Sequence, residues 1–318
     1  HNCMNCHSFR MHAPDDMLFH MRSTYGGTYV WTNGVLEKLD GKVSDAIQSL
    51  VYPYWHPSGD YVAFSTNQTK QMFHMKDKNR IEVFDMSSDV LVYDVKNHRV
   101  VTDSLLFSKQ AFETFPSFSP DGKTLYFSSS VAQKMPIDYK KVKYNICSIS
   151  FDAETGRFGT QVDTLFSVEQ TGKTGTFPRV SPDGKFLAFT EADYGNFTIW
   201  HKEADLCLID LKTKEIKSLD ALNSLEAESY HAWSSNGRWL VFASRRDDGL
   251  YSRPYIAYID EEGTPHKAFV VPQASPDAYL DGLKSYNVPE FITGPVNLQR
   301  KAVVEMAKHG QAKKVTAQ

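Results

Sequence analysis

This sequence of 318 residues lacks long apolar segments, an excess of charge of one sign and any abundance of cysteine. Because no run of about 18 apolar residues occurs, no membrane-spanning helix is predicted. The formal net charge of −3 argues against a general nucleic-acid or anionic-membrane binder. By contrast, 41% of the residues are hydrophobic and 13% are aromatic, which is enough for a large core and excludes disorder as the main state.

Signatures of several enzyme classes are also missing. No G-x-S-x-G nucleophile elbow, Walker loop, Rossmann fingerprint, EF-hand loop or H-E-x-x-H motif occurs. These absences disfavour hydrolase, nucleotide-dependent and metalloprotease activities. A non-enzymatic role is therefore favoured.

Two of the four cysteines stand together at the amino terminus, in the heptapeptide HNCMNCH at 1–7. The spacing C-x-x-C-H, made by Cys3, Cys6 and His7, is typical of covalent c-type haem attachment. The two thiols bind the haem vinyl groups as thioethers, and the imidazole that follows binds the iron as an axial ligand. The motif therefore predicts a covalent haem c.

Two other interpretations of the cysteine pair stay open. The pair could form a C-x-x-C disulfide beside an incidental histidine. It could also supply half of a zinc site, although zinc requires about four ligands and no second C-x-x-C or H-x-x-x-H accompanies it. A redox C-x-x-C is disfavoured because the expected β-α-β pattern is missing.

The second axial position on the iron has several candidate ligands. Met17 and His20 lie in a stretch rich in histidine and methionine, and either residue type is used in electron-transfer haems. An open position, or a ligand from a distant loop such as His231, is an equal alternative. The segment 17–21 is also consistent with a half-buried strand.

Beyond the motif, the chain repeats itself. Aromatic-rich segments, each followed by Pro-Asp-Gly or a variant and then by a second apolar run, occur at 52–64, 115–127, 177–189 and 230–242. Proline, aspartate and glycine favour a tight turn, so each copy predicts a β-hairpin. The turn glycines are Gly59, Gly122, Gly184 and Gly237.

Two further strands follow each hairpin. Third strands are predicted at 89–94, 145–150, 205–210 and 255–260. Fourth strands are predicted at 99–101, 161–165, 215–219 and 267–271. Four antiparallel strands that recur about every 50–60 residues indicate an all-β fold, namely a β-propeller of four-stranded blades.

The amino-terminal residues fit the same plan. Strands at 27–31 and 35–39, with another near Phe19, predict an irregular first blade. Five blades are therefore favoured, and six blades, one of them split between the chain ends, is the alternative. The predicted divisions are a haem-motif segment at 1–22 that leads into or forms part of the first blade, a propeller at 23–296 that closes through 284–296, and a helix and tail at 297–318.

The remaining cysteines are interpreted as part of the repeat. Cys147 and Cys207 are assigned the place taken by Leu91 and Ala257 in the other copies. A free cysteine in such a position behaves as a small hydrophobic residue. Both are therefore predicted to be buried without a redox role.

The first strands of the blades surround the central channel, so polar residues near them should converge. The candidate channel site consists of His56, Glu113, Glu228 and His231, and would hold a metal, a cationic ligand or a peptide end. The alternative is that the two glutamates accept backbone N–H bonds and solvate the channel. The loops at 67–88 and 193–204 are candidate partner surfaces, or simply solvated charged segments.

The F-P-x-x-S-P-D-G-K-x-L-x-F copies resemble the TolB-type β-propeller repeat over about residues 50–272. With its haem motif, the whole chain resembles a group of TolB-like envelope proteins of Bacteroidetes type that carry one C-x-x-C-H. The resemblance implies an interaction platform, a binding module beside a peptidase domain or a part of an envelope complex, and it implies no particular activity. Residues 57–59 and 235–237 depart from Pro-Asp-Gly but still favour turns.

The predicted function is an extracytoplasmic propeller with a covalent c-type haem, acting in electron transfer or haem-dependent sensing in the periplasm or cell envelope. The alternative is a haem-free scaffold that binds envelope proteins. A peroxidase-like or metal-dependent enzyme that uses Glu228 and His231 ranks third. A redox or envelope protein is the expected partner, without nucleic acid and without a membrane span; an anchor in a segment before His1 is an open alternative.

Overall fold

The repeated turns form β-hairpins, as predicted. The computed structural model describes residues 3–275 and 277–317, apart from the side chains of Cys3 and Asn5. The four turn glycines have φ between 67° and 83°, a left-handed conformation that glycine adopts without steric cost. Each turn joins an inner strand to the next strand of an antiparallel pair, so the turn chemistry of the sequence sets the hairpins.

The strands assemble into five sheets, each built from four consecutive antiparallel strands. The first sheet has β1 (Cys3–Phe9), β2 (Met17–Arg22), β3 (Gly27–Thr32) and β4 (Val35–Asp40). The second has β5 (Val51–Trp55), β6 (Tyr61–Phe73), β7 (Ile81–Asp94) and β8 (Arg99–Val101). The third has β9 (Ala111–Phe118), β10 (Thr124–Val131), β11 (Asn145–Asp152) and β12 (Arg157–Phe166).

The last two sheets follow the same order. The fourth has β13 (Thr174–Val180), β14 (Phe186–Ala192), β15 (Asp205–Asp210) and β16 (Ile216–Ser218). The fifth has β17 (Glu228–Trp233), β18 (Trp239–Ser244), β19 (Arg253–Tyr258) and β20 (Phe269–Val270). The helices are α1 (Val168–Thr171), α2 (Ala278–Asp281) and α3 (Arg300–His309), and short 3-10 helices occur at Arg10–His12, Ser23–Tyr25, Tyr139–Lys141 and Thr198–Trp200.

Hydrophobic cores lie between consecutive sheets. Each of the four interfaces has its own cluster of buried side chains, for example Leu39 against Phe64 between the first and second sheets and Leu208 against Phe242 between the fourth and fifth. Sheets that pack face to face in chain order, with their first strands innermost, are the arrangement of propeller blades. The predicted all-β architecture is confirmed.

The fifth and first sheets are bridged by a non-repetitive segment. Tyr286 donates its backbone N–H to the Ser252 carbonyl of the fifth sheet at 2.8 Å. Further along, Thr293 donates to the His12 carbonyl beside the first sheet at 3.0 Å. Residues 284–296 thus return to the first sheet as predicted, but through these irregular contacts rather than as a paired strand. The number of blades, five or six, stays a prediction.

The two inner strands of the first sheet lie within residues 3–22. β1 carries the haem motif and pairs with β2, which pairs with β3. The predicted haem-motif segment therefore forms part of the first sheet, which extends across the predicted division at residue 22.

The carboxyl-terminal segment is tied to the outer edges of two sheets. α3 packs through Val303 and Met306 onto the apolar face of the first sheet. After it, β21 (Lys313–Lys314) pairs in parallel with β4, and β22 (Thr316–Ala317) pairs in parallel with β8. The predicted short helix is present, and the tail is a docked element. None of the described helices is long and apolar enough to cross a membrane.

Both repeat cysteines are buried, as predicted, but their register was assigned incorrectly in one copy. Cys147 pairs with Phe127, and Cys207 pairs with Phe189. The equivalent partner in the fifth sheet is Tyr255, which pairs with Phe242, whereas Ala257 lies two residues further on. The third strand there is shifted by two residues, a shift that preserves the inward-facing set because side chains alternate with period two.

Candidate functional site

The innermost strand of each sheet bulges at the same place. The bulge residues Cys6, Tyr52, Phe115, Phe177 and Tyr230 all have φ between 50° and 58°, and the pairing register shifts at each of them. Positive φ is uncommon for residues other than glycine, and bulges often re-aim a side chain near a functional site. Cys6 therefore takes the place in β1 that an aromatic residue takes in the other four inner strands.

The four aromatic bulge residues contact one another in series around the propeller axis. Ring centroids lie 4.7 Å apart for Tyr52 and Phe115, 5.3 Å for Phe115 and Phe177, and 5.2 Å for Phe177 and Tyr230. All three contacts are edge-to-face, a favourable geometry for aromatic pairs. These four side chains and Cys6 are termed the axial ring below.

Cys6 lies near both ends of this aromatic series. The pKa of Tyr52 and that of Tyr230 are raised, chiefly by burial and next by the proximity of the Cys6 sulfur. Cys6 also lines one cavity together with Tyr52 and Tyr230, so its side chain lies beside both of these rings. The haem motif is thus part of the axial ring, not an appendage to the propeller.

The residue after the bulge is proline in three inner strands and histidine in two. Pro53, Pro116 and Pro178 take this place in the second to fourth sheets, while His7 and His231 take it in the first and fifth. The repeat copies at 52–64, 115–127, 177–189 and 230–242 align His231 with the three prolines, but Cys6-His7 lies outside these copies and its equivalence to them was not predicted. Aligning Cys6-His7 with Tyr52-Pro53 was the available signal.

A cavity of ≈ 320 Å³ opens beside the axial ring. Its wall includes Cys6, His7, Arg22, Arg179, Trp200, His231 and Glu290. This volume lies near the lower end of the range of about 300–1,000 Å³ for small-molecule sites. The cavity, termed the axial cavity, therefore joins two residues of the haem motif to one residue of the predicted channel site.

Both histidines of the axial cavity are held in a desolvated environment. Burial lowers the pKa of His7. It lowers the pKa of His231 to about 3, against a partial opposing effect of the Ala188 and Phe177 carbonyl groups. Neither ring nitrogen of His231 makes a hydrogen bond of normal geometry with a described residue, a situation that costs about 1–3 kcal/mol for a buried polar group. Both imidazoles are therefore favoured in the neutral form that can bind a metal.

Arg179 supplies a buried positive charge to the same cavity. Its guanidinium lies 3.9 Å from the Phe177 ring centroid and 4.9 Å from that of Tyr54, and burial lowers its pKa to about 10. Glu290 also lines the cavity, and desolvation raises its pKa to about 8 although the Phe9 N–H donates to it at 3.0 Å. Arg179 would therefore pair with an anionic group of a ligand bound in this cavity.

The other half of the haem motif is described only by its backbone. Cys3 pairs with Arg22 across β1 and β2. Its side chain lies outside the described residues, so its predicted thioether bond stays a prediction.

The two predicted distal ligands lie away from the axial cavity. Met17 is buried between the first sheet and α3, among Phe19, Tyr29 and Leu36. His20 accepts or donates a hydrogen bond through Nδ1 with Thr28 Oγ1 at 3.2 Å, and it lines a separate cavity with Thr28. Burial, and next the Arg22 charge, lowers the pKa of His20 to about 4. The segment 17–21 therefore lies in a half-buried strand, which was the alternative interpretation of its sequence.

The predicted channel site does not form as one constellation. His56 lies in the first turn, where Nδ1 contacts Ser58 Oγ at 2.8 Å and Nε2 contacts the Gly122 carbonyl at 3.1 Å. This ring therefore joins the second and third sheets. His231 is the one member of the predicted set that faces the axial cavity.

Glu228 has a structural set of partners. Its carboxylate accepts hydrogen bonds from Ser224 Oγ at 2.8 Å and Ser244 Oγ at 2.6 Å, and it pairs with Arg246 at 3.2 Å. These partners match the alternative that this glutamate satisfies local donors. Among the described side chains, no group of three or more histidine, cysteine, aspartate or glutamate residues is arranged to hold a metal.

Glu113 is the fourth member of the set, and it should make stability depend on pH. Burial, and next the nearby Asp89, raises its pKa to about 8, against one weak bond from Ser129 at 3.4 Å. A raised carboxyl pKa means that the folded state holds a proton that the unfolded chain releases. The contribution is full below about pH 4.5, the usual pKa, and is lost as pH rises toward 8.

We expect Glu113→Gln to gain stability relative to the parent by up to about 5 kcal/mol between pH 4.5 and 8.5, since one pKa unit corresponds to about 1.4 kcal/mol. Denaturant unfolding at several pH values measures this. Glu169→Gln, at an exposed position, controls for the change in net charge. A difference between Glu113→Gln and the parent that stays constant with pH would contradict the assignment.

The two candidate partner loops bind each other instead of projecting freely. The segment 67–88 forms the distal half of the β6–β7 hairpin, which reaches across to residues 193–204. There Glu82 accepts a hydrogen bond from Tyr194 at 2.6 Å and contacts His201 Nε2 at 3.0 Å, all within the interior. Asp85 accepts one from Asn196 at 2.6 Å. The hairpin and this loop are termed the cap.

The tip of the cap exposes two large apolar side chains. Phe73 is 74% exposed and Met75 is 92% exposed. Lys78 pairs with Asp193 at 3.2 Å and Glu203 at 3.0 Å. Lys78 therefore helps to close the cap, whereas the apolar tip and the exposed Lys70, Lys76 and Arg80 are available to a partner.

Comparison with known proteins agrees with this arrangement of sheets. An oligogalacturonate lyase in complex with manganese is 14% identical over 86% of this chain and 68% of that one, with a TM-score of 0.52. TolB from Acinetobacter baumannii is 15% identical over 86% of this chain, with a TM-score of 0.48. The chain has a β-propeller fold. It spans 58% of the length of that TolB structure.

A third solved structure is similar over a smaller part. The β-propeller domain of the trilobed protease from Pyrococcus furiosus is 19% identical to this chain, over 53% of this chain and 45% of that one, with a TM-score of 0.33. No family model matches the sequence, and no curated protein matches it. At these identities the similarity concerns the fold alone.

Proposed function

We propose that this propeller carries a covalent c-type haem, held by Cys3, Cys6 and His7, and acts in electron transfer or haem-dependent sensing. The observation that supports the proposal best is the position of Cys6 and His7, which line one cavity at the propeller axis. A C-x-x-C-H match alone is short, but here its thiol and imidazole are directed by a bulge of the repeat into a ligand-sized space.

The residues around the cavity suit a haem. Phe177, Phe197 and Trp200 provide aromatic walls for an apolar macrocycle. Arg179 provides a buried cation for a carboxylate substituent. A neutral His7 would bind the haem iron through a ring nitrogen. When bound, a haem of this kind supplies reversible one-electron transfer.

The chain contributes positioning and shielding. The Cys6 bulge sets the direction of the motif. The axial ring lines the cavity through Tyr52, Phe177 and Tyr230, and the cap lines it through Val83 and Phe197. Because covalent haem attachment takes place outside the bacterial cytoplasm, the proposal includes a periplasmic or cell-envelope location and a redox or envelope protein as partner.

The test is to produce the protein in cells with an intact cytochrome c maturation system and to measure its mass and spectrum. We expect a mass increase of about 616 Da and a reduced α-band near about 550 nm. Both should be lost in the Cys3→Ser/Cys6→Ser double variant and retained in Cys147→Ala, which removes a buried thiol elsewhere. A folded parent without the added mass would refute the proposal.

A haem-free scaffold is the second candidate, favoured by the exposed Phe73 and Met75 at the cap tip. In that case the cysteine pair is not needed for partner binding. Capture of an envelope partner should then be unchanged in Cys3→Ala/Cys6→Ala and weakened in Phe73→Ser/Met75→Ser. Loss of capture in the cysteine variant would count against the scaffold.

A further inference from the structure

His231 is the most conspicuous polar side chain that the fold leaves unexplained. It is 1% exposed, its ring meets Phe177 edge-to-face at 5.6 Å, and neither ring nitrogen makes a hydrogen bond of normal geometry with a described residue. Buried polar groups are nearly always hydrogen-bonded, so an exception requires a reason. Three other sheets carry proline at the equivalent position, so the repeat itself does not require a histidine here.

The position of His231 relates it directly to His7. Both follow the bulge residue of an inner strand, one in the fifth sheet and one in the first, and both line the axial cavity. These are the two sheets that the segment 284–296 bridges. The fold therefore brings two imidazoles from opposite ends of the chain to one cavity, each through the same bulge.

We propose that His231 is the second axial ligand of the haem iron, paired with His7. This inference rests on the proposed function, and it assigns the position that the motif itself leaves open. A neutral imidazole with an available nitrogen lone pair is a common ligand for haem iron. One of the two carbonyl groups near the ring, those of Ala188 and Phe177, would accept the proton on its other nitrogen, as is usual for metal-bound histidine.

The other candidates are less well placed. Met17 is packed in the interior between the first sheet and α3, and His20 is directed to Thr28 in a different cavity. Neither lines the axial cavity, whereas His231 does. Two histidine ligands would leave no open position on the iron, so the inference favours electron transfer over the sensing of a small ligand.

The experiment compares the haem-loaded parent with His231→Pro, His231→Ala and His20→Ala. Proline is the residue of the other inner strands, so His231→Pro should preserve the bulge and the fold. We expect the parent to be six-coordinate and low-spin by absorption and electron paramagnetic resonance, and the ferrous form not to bind carbon monoxide. Both His231 variants should lose nearly all of the low-spin signal and gain carbon monoxide binding, and added imidazole should restore the low-spin state.

The outcomes separate the two proposals. A parent protein without covalent haem mass would defeat the proposed function. Haem that is covalently attached but stays low-spin in both His231 variants would overturn the ligand assignment and leave the proposed function intact. Conversion to high spin in His20→Ala alone would assign the position to His20 instead. Unfolding of the variants is recognised by circular dichroism, and His231→Pro is the variant expected to avoid it.

Discussion

Replacing Gly122 by alanine is expected to destabilise the propeller by about 3 kcal/mol or more. Gly122 has φ of 74°, and an alanine Cβ there would approach His56 Cε1 to 2.6 Å. The left-handed conformation costs a non-glycine residue about 1–2 kcal/mol, and forcing an atom into packed surroundings costs about 1–3 kcal/mol more. Urea or thermal unfolding of the folded variant measures the sum.

A matched control lies one sheet further along. Gly184 occupies the same turn with φ of 73°, and an added Cβ would meet nothing within 4 Å. Gly184→Ala should therefore cost only the conformational part, about 1–2 kcal/mol. Adding His56→Ala to Gly122→Ala should recover part of the difference. Equal losses for both glycine variants would show that His56 does not constrain this turn.

Removing the Glu82 carboxylate is expected to cost about 3–5 kcal/mol, because it leaves two buried partners unsatisfied. Glu82 is 1% exposed and contacts both Tyr194 and His201, which belong to a loop two sheets away. Glu82→Ala should therefore open the cap. Denaturant unfolding gives the total loss, and amide exchange shows whether β6 and β7 lose protection first.

Asp77→Ala is the matched control for the cap. Asp77 lies on the same hairpin as Glu82 and pairs with Lys140 at 2.8 Å, with the lysine side chain 50% exposed. Surface ion pairs contribute about 0–1 kcal/mol. A loss for Glu82→Ala no greater than for Asp77→Ala would mean that the cap is held by other contacts.

The hairpins were predictable because their information is local. Asp121 and Gly122, for example, define a turn within four residues, and the apolar alternation on either side sets the strand faces. The same local pattern also located the strands of the first sheet and the burial of Cys147 and Cys207. Strand register is less local, and so Ala257 was assigned the place that Tyr255, two residues earlier, occupies.

The candidate site was harder to predict because it depends on long-range contacts. The haem motif could be identified from the sequence. The equivalence of His7 and His231 could not, because it depends on the bulge that all five inner strands share in the structure. His56, Glu113 and Glu228 were grouped with His231 because they share a region of the repeat. Their actual partners, such as Ser224 and Gly122, come from turns and adjacent strands whose side-chain directions the pattern does not specify.

The amino-acid sequence by itself determined the all-β fold, the repeated turns and the C-x-x-C-H motif, since each follows from residues close together in the chain. Only the tertiary structure decided that Cys6 belongs to the axial ring, that His231 shares its cavity and that residues 67–88 close a cap over the loop at 193–204. These contacts join residues more than 100 positions apart. They depend on how the sheets pack around an axis, which no local pattern encodes.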